Sequence, residues 1–386
     1  MARPLDGVRV LDLSRLLPGP FATLILSDLG ADVVKVEDTG AGDYLRAFPP
    51  FVPGTHLGGR FAAINRDKRS IAIDLKQPSA VAAFRRLAAQ ADVVVESFRP
   101  GVIDKLGIGF EVLAAQHPGI IVCSISGYGQ TGPYRDRAGH DLNYIGLGGV
   151  LAMTGPAGGG PQMPGVQIAD LAGGGLWAAV GICAALAART KTGRGQYLDV
   201  SMTEGSLAFL IAELGNMVIG GPPPRRGQEL LNGALACYGV YETRDGRYLS
   251  VGALEPKFWL AFNQTIGRSG DLSELVGGPD VQARVRAQVA AILRTKTRAE
   301  WEEIFARADA MCEPVLETDE LLGHPLHQAR RMFFEIAGLP QMRTPLGAPE
   351  ARRPPPTQGQ HTDEVLREAG FSEADIAALR ATGAIR

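Results

Sequence analysis

Three acid–base side chains stand out by the company they keep. His140 lies in AGHDLNY with Asp141 and Tyr144, Asp170 in IADLAGGG, and Glu255 in VGALEPKFW. An imidazole titrates near neutral pH, and a carboxylate in reach of the same atom shares the work of moving a proton. A lone histidine reads first as structural, but Gly139 before His140, in a glycine-rich stretch, favours catalysis. Asp170 precedes an apolar run and reads as a helix N-cap. The functional reading is a reacting carboxylate held by first-turn amides and the helix dipole, and the two roles are compatible. Glu255, just before Pro256, reads as a loop acid or a helix-start residue.

The glycines give these residues a setting. Of 49 in the chain, 15 fall between Gly127 and Gly175, about four times the usual ~7%. Glycine lets backbone approach a ligand closely, so this window is where a backbone-lined site belongs. It has no G-X-Y period, which excludes collagen.

The elements that position the window are legible as alternation. Short β-branched runs at 8–13, 32–37, 70–75, 92–97 and 120–125 are separated by helical stretches, the pattern of a parallel sheet covered by helices. The first helix is expected near Pro20, with Phe21, Leu24, Ile25 and Leu29 on one face. A βαβ start invites a dinucleotide reading, and Glu37 sits where a ribose-binding acid would. The turn SRLLPGP, however, lacks GxGxxG. The run IGGPPPRRG at 219–227 marks a boundary. Beyond it come a hairpin at Asp245-Gly246 and a capping box at Thr297-x-x-Glu300, which make 228–320 a smaller α+β domain. A second proline run, ARRPPPTQGQH, leads to a tail with a box-like start at Ser372-x-x-Asp375.

Bulk properties narrow the classes further. Hydrophobic residues are 45% and charged residues 21%, so disorder and coiled coil fit poorly. Thirty-nine basic residues against 41 acidic give a net charge of −2, no footprint for nucleic acid or an anionic membrane. Cys123, Cys183, Cys237 and Cys312 form no CxxC, so neither a disulfide framework nor a metal site is expected. The N-terminus does not read as a signal peptide, and the apolar run 173–188, about 16 residues, falls short of a membrane span. A cytoplasmic protein is expected.

Ten segments in order carry a family resemblance: PLDGVRVLDLSRLLPGPFAT, LGADVVKVE, NRDKRSIAIDLK, VESFRPGVIDKLG, SGYGQTGP, AGHDLNY, IADLAGGG, KTGRGQYLDVSM, DGRYLSVGALEPKFW and GQHTDEVLREAGFS. The chain resembles the family III CoA-transferases of the CaiB/BaiF type, which include the α-methylacyl-CoA racemases. The resemblance implies a Rossmann-like large CoA-binding domain over 1–218, a linker at 219–227, the small domain at 228–320, and a return linker and tail over 321–386 that completes the large domain. It also implies an interlocked homodimer in which the proline runs cross, and acyl-CoA as substrate, with coenzyme A as part of that substrate and no prosthetic group. In the racemases the histidine and aspartate of these motifs are two α-carbon bases supported by the glutamate, which places those roles on His140, Asp170 and Glu255. In the transferases the aspartate instead attacks the thioester, and a GGGGQ loop, absent here, serves the intermediate. The implied CoA pocket has an apolar clamp of Leu16, Ile73 and Phe98 and cations Lys76, Arg99 and Lys105, with Ser97, Asp141 and Tyr144 beside them. The chain departs from the racemase pattern at Val166, where asparagine is usual, and at LLNGALACY in place of MLDGGAPFY. Asp38 stands where a phosphate-binding arginine is usual.

Overall fold

A computed structural model describes residues 3–347 and 353–386. Met1 and Ala2 of the expected large domain, and residues 348–352 of the expected return segment, lie outside the described residues. Six strands form one wholly parallel sheet: β1 (Arg9–Asp12), β2 (Asp32–Glu37), β3 (Arg69–Ala72), β4 (Val93–Glu96), β5 (Ile121–Ser126) and β6 (Tyr197–Ser201). Their order is β3-β2-β1-β4-β5-β6. Strands β1 to β5 are almost wholly buried, as in a parallel sheet covered by helices on both faces. In sheets of this order ligands bind outside the carboxyl ends of the strands, at the switch point where the order reverses, here between β1 and β4.

The crossover helices follow from the same pattern. Helix α1 (Pro18–Asp28) starts two residues before the expected Pro20, with proline in its first turn. Its residues are buried on all sides apart from the half-buried Phe21. Helix α2 (Pro78–Ala88) joins β3 to β4, and α3 (Asp141–Leu147) follows β5. The apolar run 173–188 is the centre of a longer helix, Ile168–Thr192. This helix is 25 residues long and apolar enough to cross a membrane, longer than the sequence suggests because residues 168–172 and 189–192 continue it on either side. Its first part, Ile168–Leu176, is wound as a π-helix. The remainder, α4 (Trp177–Thr192), buries Ala178, Ala179, Ile182 and Ala185 and leaves Trp177 and Val180 exposed. Helix α5 (Met202–Leu207) continues directly from β6.

The chain divides into two units. The first runs to Val150, resumes over Pro164–Phe209 and takes in everything from Pro325 on; the second is Leu151–Met163 with Leu210–His324. The expected linker 219–227 thus falls inside the second unit, which begins before the expected 228. In the first unit the tail packs into the sheet's core, where Val365, Leu366, Ile376 and Ile385 join Val34, Ile71, Phe84 and Val94. Ile385 bridges Ile73 at the end of β3.

In the second unit β7 (Tyr238–Glu242), β8 (Tyr248–Gly252) and β9 (Cys312–Val315) form an antiparallel sheet in that order. Helices α6 (Pro256–Thr265), α7 (Pro279–Leu293) and α8 (Arg298–Phe305) cover it. Its core is aromatic: Phe262 stacks on Trp259 at 5.6 Å and on Phe305 at 5.8 Å. Capping boxes form at Thr297 with Glu300 and at Ser372 with Asp375. All four cysteines are free, and Cys183 is the one that is not fully buried.

Candidate active site

A cavity of about 730 Å³ opens at the carboxyl ends of the parallel strands. Its wall is contributed by Arg15, Leu16 and Pro18 after β1, Tyr44 after β2, Ser97, Phe98 and Arg99 after β4, and Ser126 to Tyr128 at the end of β5. His140, Tyr144 and Asp170 complete it with Arg135 and Arg137. Every one of these residues belongs to the first unit.

Asp170 is placed by the π-wound segment. It lies in the first turn, and Gln167 rather than Asp170 is the cap, because the helix begins five residues before the glycines. Its backbone N–H donates to Asp141 Oδ1 at 2.9 Å. Burial pushes the Asp170 carboxyl up to about 7, and the negative charge of Asp141 adds to the rise. An acid that ionises near neutrality exchanges protons with a substrate in either direction.

The segment is held by close backbone approach. A Cβ on Gly205 of α5 would lie 1.9 Å from the Gly173 carbonyl oxygen, and one on Gly175 would lie 2.8 Å from the Pro18 oxygen. Gly205→Ala is therefore expected to destabilise the protein by about 2 kcal/mol or more, read as a lower urea midpoint at unchanged slope. An unchanged midpoint would show that the contact yields freely.

His140 caps α3 and is exposed on the cavity wall. Its N–H donates to Asn143 Oδ1 at 3.0 Å, and its carbonyl accepts from the Asn143 N–H at 2.8 Å. Asp141, the next residue, ties this helix start to Asp170. Tyr144, one turn on, donates its hydroxyl to the Gly139 carbonyl and meets Tyr128 edge-on at 5.1 Å. The two glycine-flanked motifs are thus brought to one cavity.

The expected CoA clamp is divided. Leu16, Ser97, Phe98 and Arg99 line the cavity, whereas Ile73 does not: it is 2% exposed, packed in the core beside the tail. One residue beyond β3, Ile73 falls on the same side as Ile71, two residues back, and both join the core cluster that the tail completes. Lys76 and Lys105 are exposed and off the cavity wall, Lys76 in the turn after β3 and Lys105 at the end of a single helical turn. Arginines not anticipated from the sequence take their place: Arg15, Arg135 and Arg137. Arg15 donates to Asp38 at 2.7 Å and lies over the Tyr44 ring. Asp38, the residue that replaces the usual arginine, accepts from the N–H groups of Gly40 and Gly42, so it orients a cation in place of supplying one. Arg15 lies in SRLLPGP, and Arg135 and Arg137 in the stretch between SGYGQTGP and AGHDLNY, but nothing in spacing alone sets them apart from surface charge.

Two further acids resolve earlier questions. Glu37 accepts from Arg46 through both oxygens, at 2.7 and 2.6 Å, from Ser70 Oγ and from the Asp43 N–H. No oxygen is left for a ribose, which removes the physical basis of the dinucleotide reading. Glu96, beneath the Ser97–Arg99 wall, accepts from the Phe98 N–H at 2.7 Å and is pushed up to about 7 by burial. Glu255 belongs to the second unit, where it caps α6 and its carbonyl accepts from the Phe258 and Trp259 N–H groups. Among the described residues no group of three or more His, Cys, Asp or Glu is placed to hold a metal ion.

If Asp170 must be ionised for turnover, kcat/KM rises with pH through an acidic limb near 7. Asp141→Asn keeps the acceptor for the Asp170 N–H but removes a charge that raises the Asp170 pKa. The limb is therefore expected to move to lower pH in that variant. The acids that act most on Glu96 are Asp104 and Asp199 rather than Asp141, so an unmoved limb would assign it elsewhere.

A family profile described as CoA-transferase family III matches residues 5–362. The chain is 39% identical to the α-methylacyl-CoA racemase of Mus musculus over 97% of its own length and 96% of the relative's. It is 35% identical to the succinyl-CoA:glutarate CoA-transferase of Homo sapiens, covering 99% of this chain and 90% of that one. Among solved structures, a CaiB/BaiF family protein from Brucella suis superposes with a TM-score of 0.83 at 31% identity, over 96% of this chain and 100% of that one.

Proposed function

From the premise that the chain belongs to CoA-transferase family III, we propose that it epimerises the α-carbon of an acyl-CoA thioester by two-base proton transfer. One observation carries the reading: His140 and an Asp170 poised to ionise near neutrality share the wall of one arginine-lined cavity. A thioester acidifies its α-hydrogen. One of the two bases removes that hydrogen as a proton, the electron pair passes to the thioester oxygen as an enolate, and the other base, in its acid form, returns a proton to the opposite face. The arginines fit the phosphates of coenzyme A, with Leu16 and Phe98 as apolar surface.

The second reading is CoA transfer between carboxylic acids. It is favoured by the same buried carboxylate, which would attack the thioester carbon to form a mixed anhydride and expel CoA thiolate. The thiolate would then attack the aspartyl carbonyl, releasing the donor acid and leaving an aspartyl thioester, from which the acceptor carboxylate takes over the CoA by the same two steps in reverse, regenerating the Asp170 carboxylate. Incubating a 2-methylacyl-CoA in D2O separates the two. Deuterium at the α-carbon with loss of configuration supports epimerisation. No exchange, with CoA moved to an added dicarboxylate and hydroxylamine trapping at Asp170, would sink it in favour of transfer.

The proposal includes a homodimer. Trp177, Val180, Leu207 and Phe209 are large apolar side chains exposed on the first unit, of the kind that a second copy of the chain would cover. Light scattering is expected to give twice the chain mass of 40.9 kDa.

A further inference from the structure

Beneath the cavity lies a set of charges that the proposed chemistry does not use. Lys35 on β2 and Asp43 are both wholly buried and pair at 2.9 Å. Replacing a buried ion pair by apolar side chains is often neutral for stability, so such a pair is better explained by the conformation it specifies.

The conformation in question is the bend after β1. Leu16 has φ of +63°, a region disfavoured for a residue with a Cβ and kept only when its surroundings enforce it. The enforcing contacts converge on it. Lys35 Nζ donates to the Ser14 carbonyl at 3.0 Å, and Asp43 Oδ1 accepts from the Leu16 N–H at 3.3 Å. The same oxygen accepts from the Leu45 N–H at 3.0 Å, which fixes the turn bearing Tyr44. Below them Asp12 accepts from the Ser14 N–H and from Lys68. Leu16 and Tyr44 are cavity wall, and Arg15, between Ser14 and Leu16, is one of its cations.

We propose that the Lys35–Asp43 pair is a positioning device for the CoA thioester, setting the Ser14–Leu16 bend and the Tyr44 turn so that Arg15, Leu16 and Tyr44 present a preformed surface to the ligand. The proposal rests on the acyl-CoA reading of the cavity and adds to it residues that never touch substrate. Lys35 and Asp43 act through the backbone of the bend, so their effect belongs to binding and not to the chemical step.

The test replaces both partners by apolar side chains, Lys35→Met with Asp43→Leu, and measures CoA binding by calorimetry beside steady-state kinetics. Expected are a Kd for CoA and a KM for the acyl-CoA at least tenfold higher, with kcat within about threefold. Asp43→Asn, which keeps the volume, is expected to shift both in the same direction and serves alone if the double variant does not fold. A folded variant that binds CoA within twofold of the native enzyme, or one that loses kcat at unchanged KM, overturns the positioning role. Failure of the native enzyme to bind CoA would instead overturn the acyl-CoA reading itself.

Discussion

Asp170→Asn is expected to lower turnover by at least about 10³-fold, whichever of the two chemistries operates. Asparagine keeps the shape and the backbone contact to Asp141 but can neither accept a proton nor attack a carbonyl, and general acid–base catalysis alone contributes about 10²–10⁴. The loss is expected without damage to the fold. Because burial raises the native pKa to about 7, the folded state resists ionisation, and the stability this group allows at low pH is lost as pH rises from its unfolded value through about 7. At pH 8.5 the asparagine variant should therefore melt no lower than the native enzyme. A variant that retains activity within tenfold would place the chemistry on another group, and one that melts lower at pH 8.5 would show that the folded state does not resist ionisation of Asp170.

His140→Gln is expected to divide the reaction in two. Epimerisation needs a base on each face of the α-carbon, so loss of one abolishes inversion by about 10³-fold or more. Asp170, still in place, continues to remove and return the α-hydrogen on its own face. One epimer of the substrate should consequently wash deuterium in from D2O without inverting, while the other does not exchange. If both epimers lose exchange, the histidine serves the whole site and not one face. If CoA transfer to an added acid persists undiminished while exchange was never present, Asp170 is a nucleophile and the epimerase reading is lost.

The sheet was legible because its strands are buried on both faces. VRVLDL, DVVKVE and DVVVES announce themselves as apolar β-branched runs, and β1, β2 and β4 lie within them. Strand β6 was not singled out, since YLDVS at the sheet's edge is half exposed and carries polar residues. The site was legible where a residue type is rare in its context, as with a histidine and an aspartate among glycines. It was not legible where the answer depends on which way a side chain points. Ile73 and Lys76, three residues apart, were both assigned to the pocket, and one faces the core and the other water. The interior charges are the clearest limit. Lys35 and Lys68 are wholly buried, and no hydrophobic pattern forecasts an ammonium in a core. Lys68 depends on Asp12, 56 residues away and in reach only once the sheet has formed, and Lys35 on Asp43, across the turn that follows β2.

The π-wound segment makes the direction of Asp170 a matter of residue count. Each residue of an α-helix advances about 100° around the axis, and a wide turn accommodates one more residue than the hydrogen-bond ladder of an α-helix allows. Removing a single residue between Asp170 and Trp177 would let the ladder close normally and rotate the carboxylate about a quarter turn away from the cavity, with every side chain of α4 left in register. Substitution libraries, which hold length constant, are blind to this variable. For anyone redirecting the enzyme toward other acyl groups, the length of the segment Ile168–Leu176 is a variable of its own, addressed by insertion and deletion.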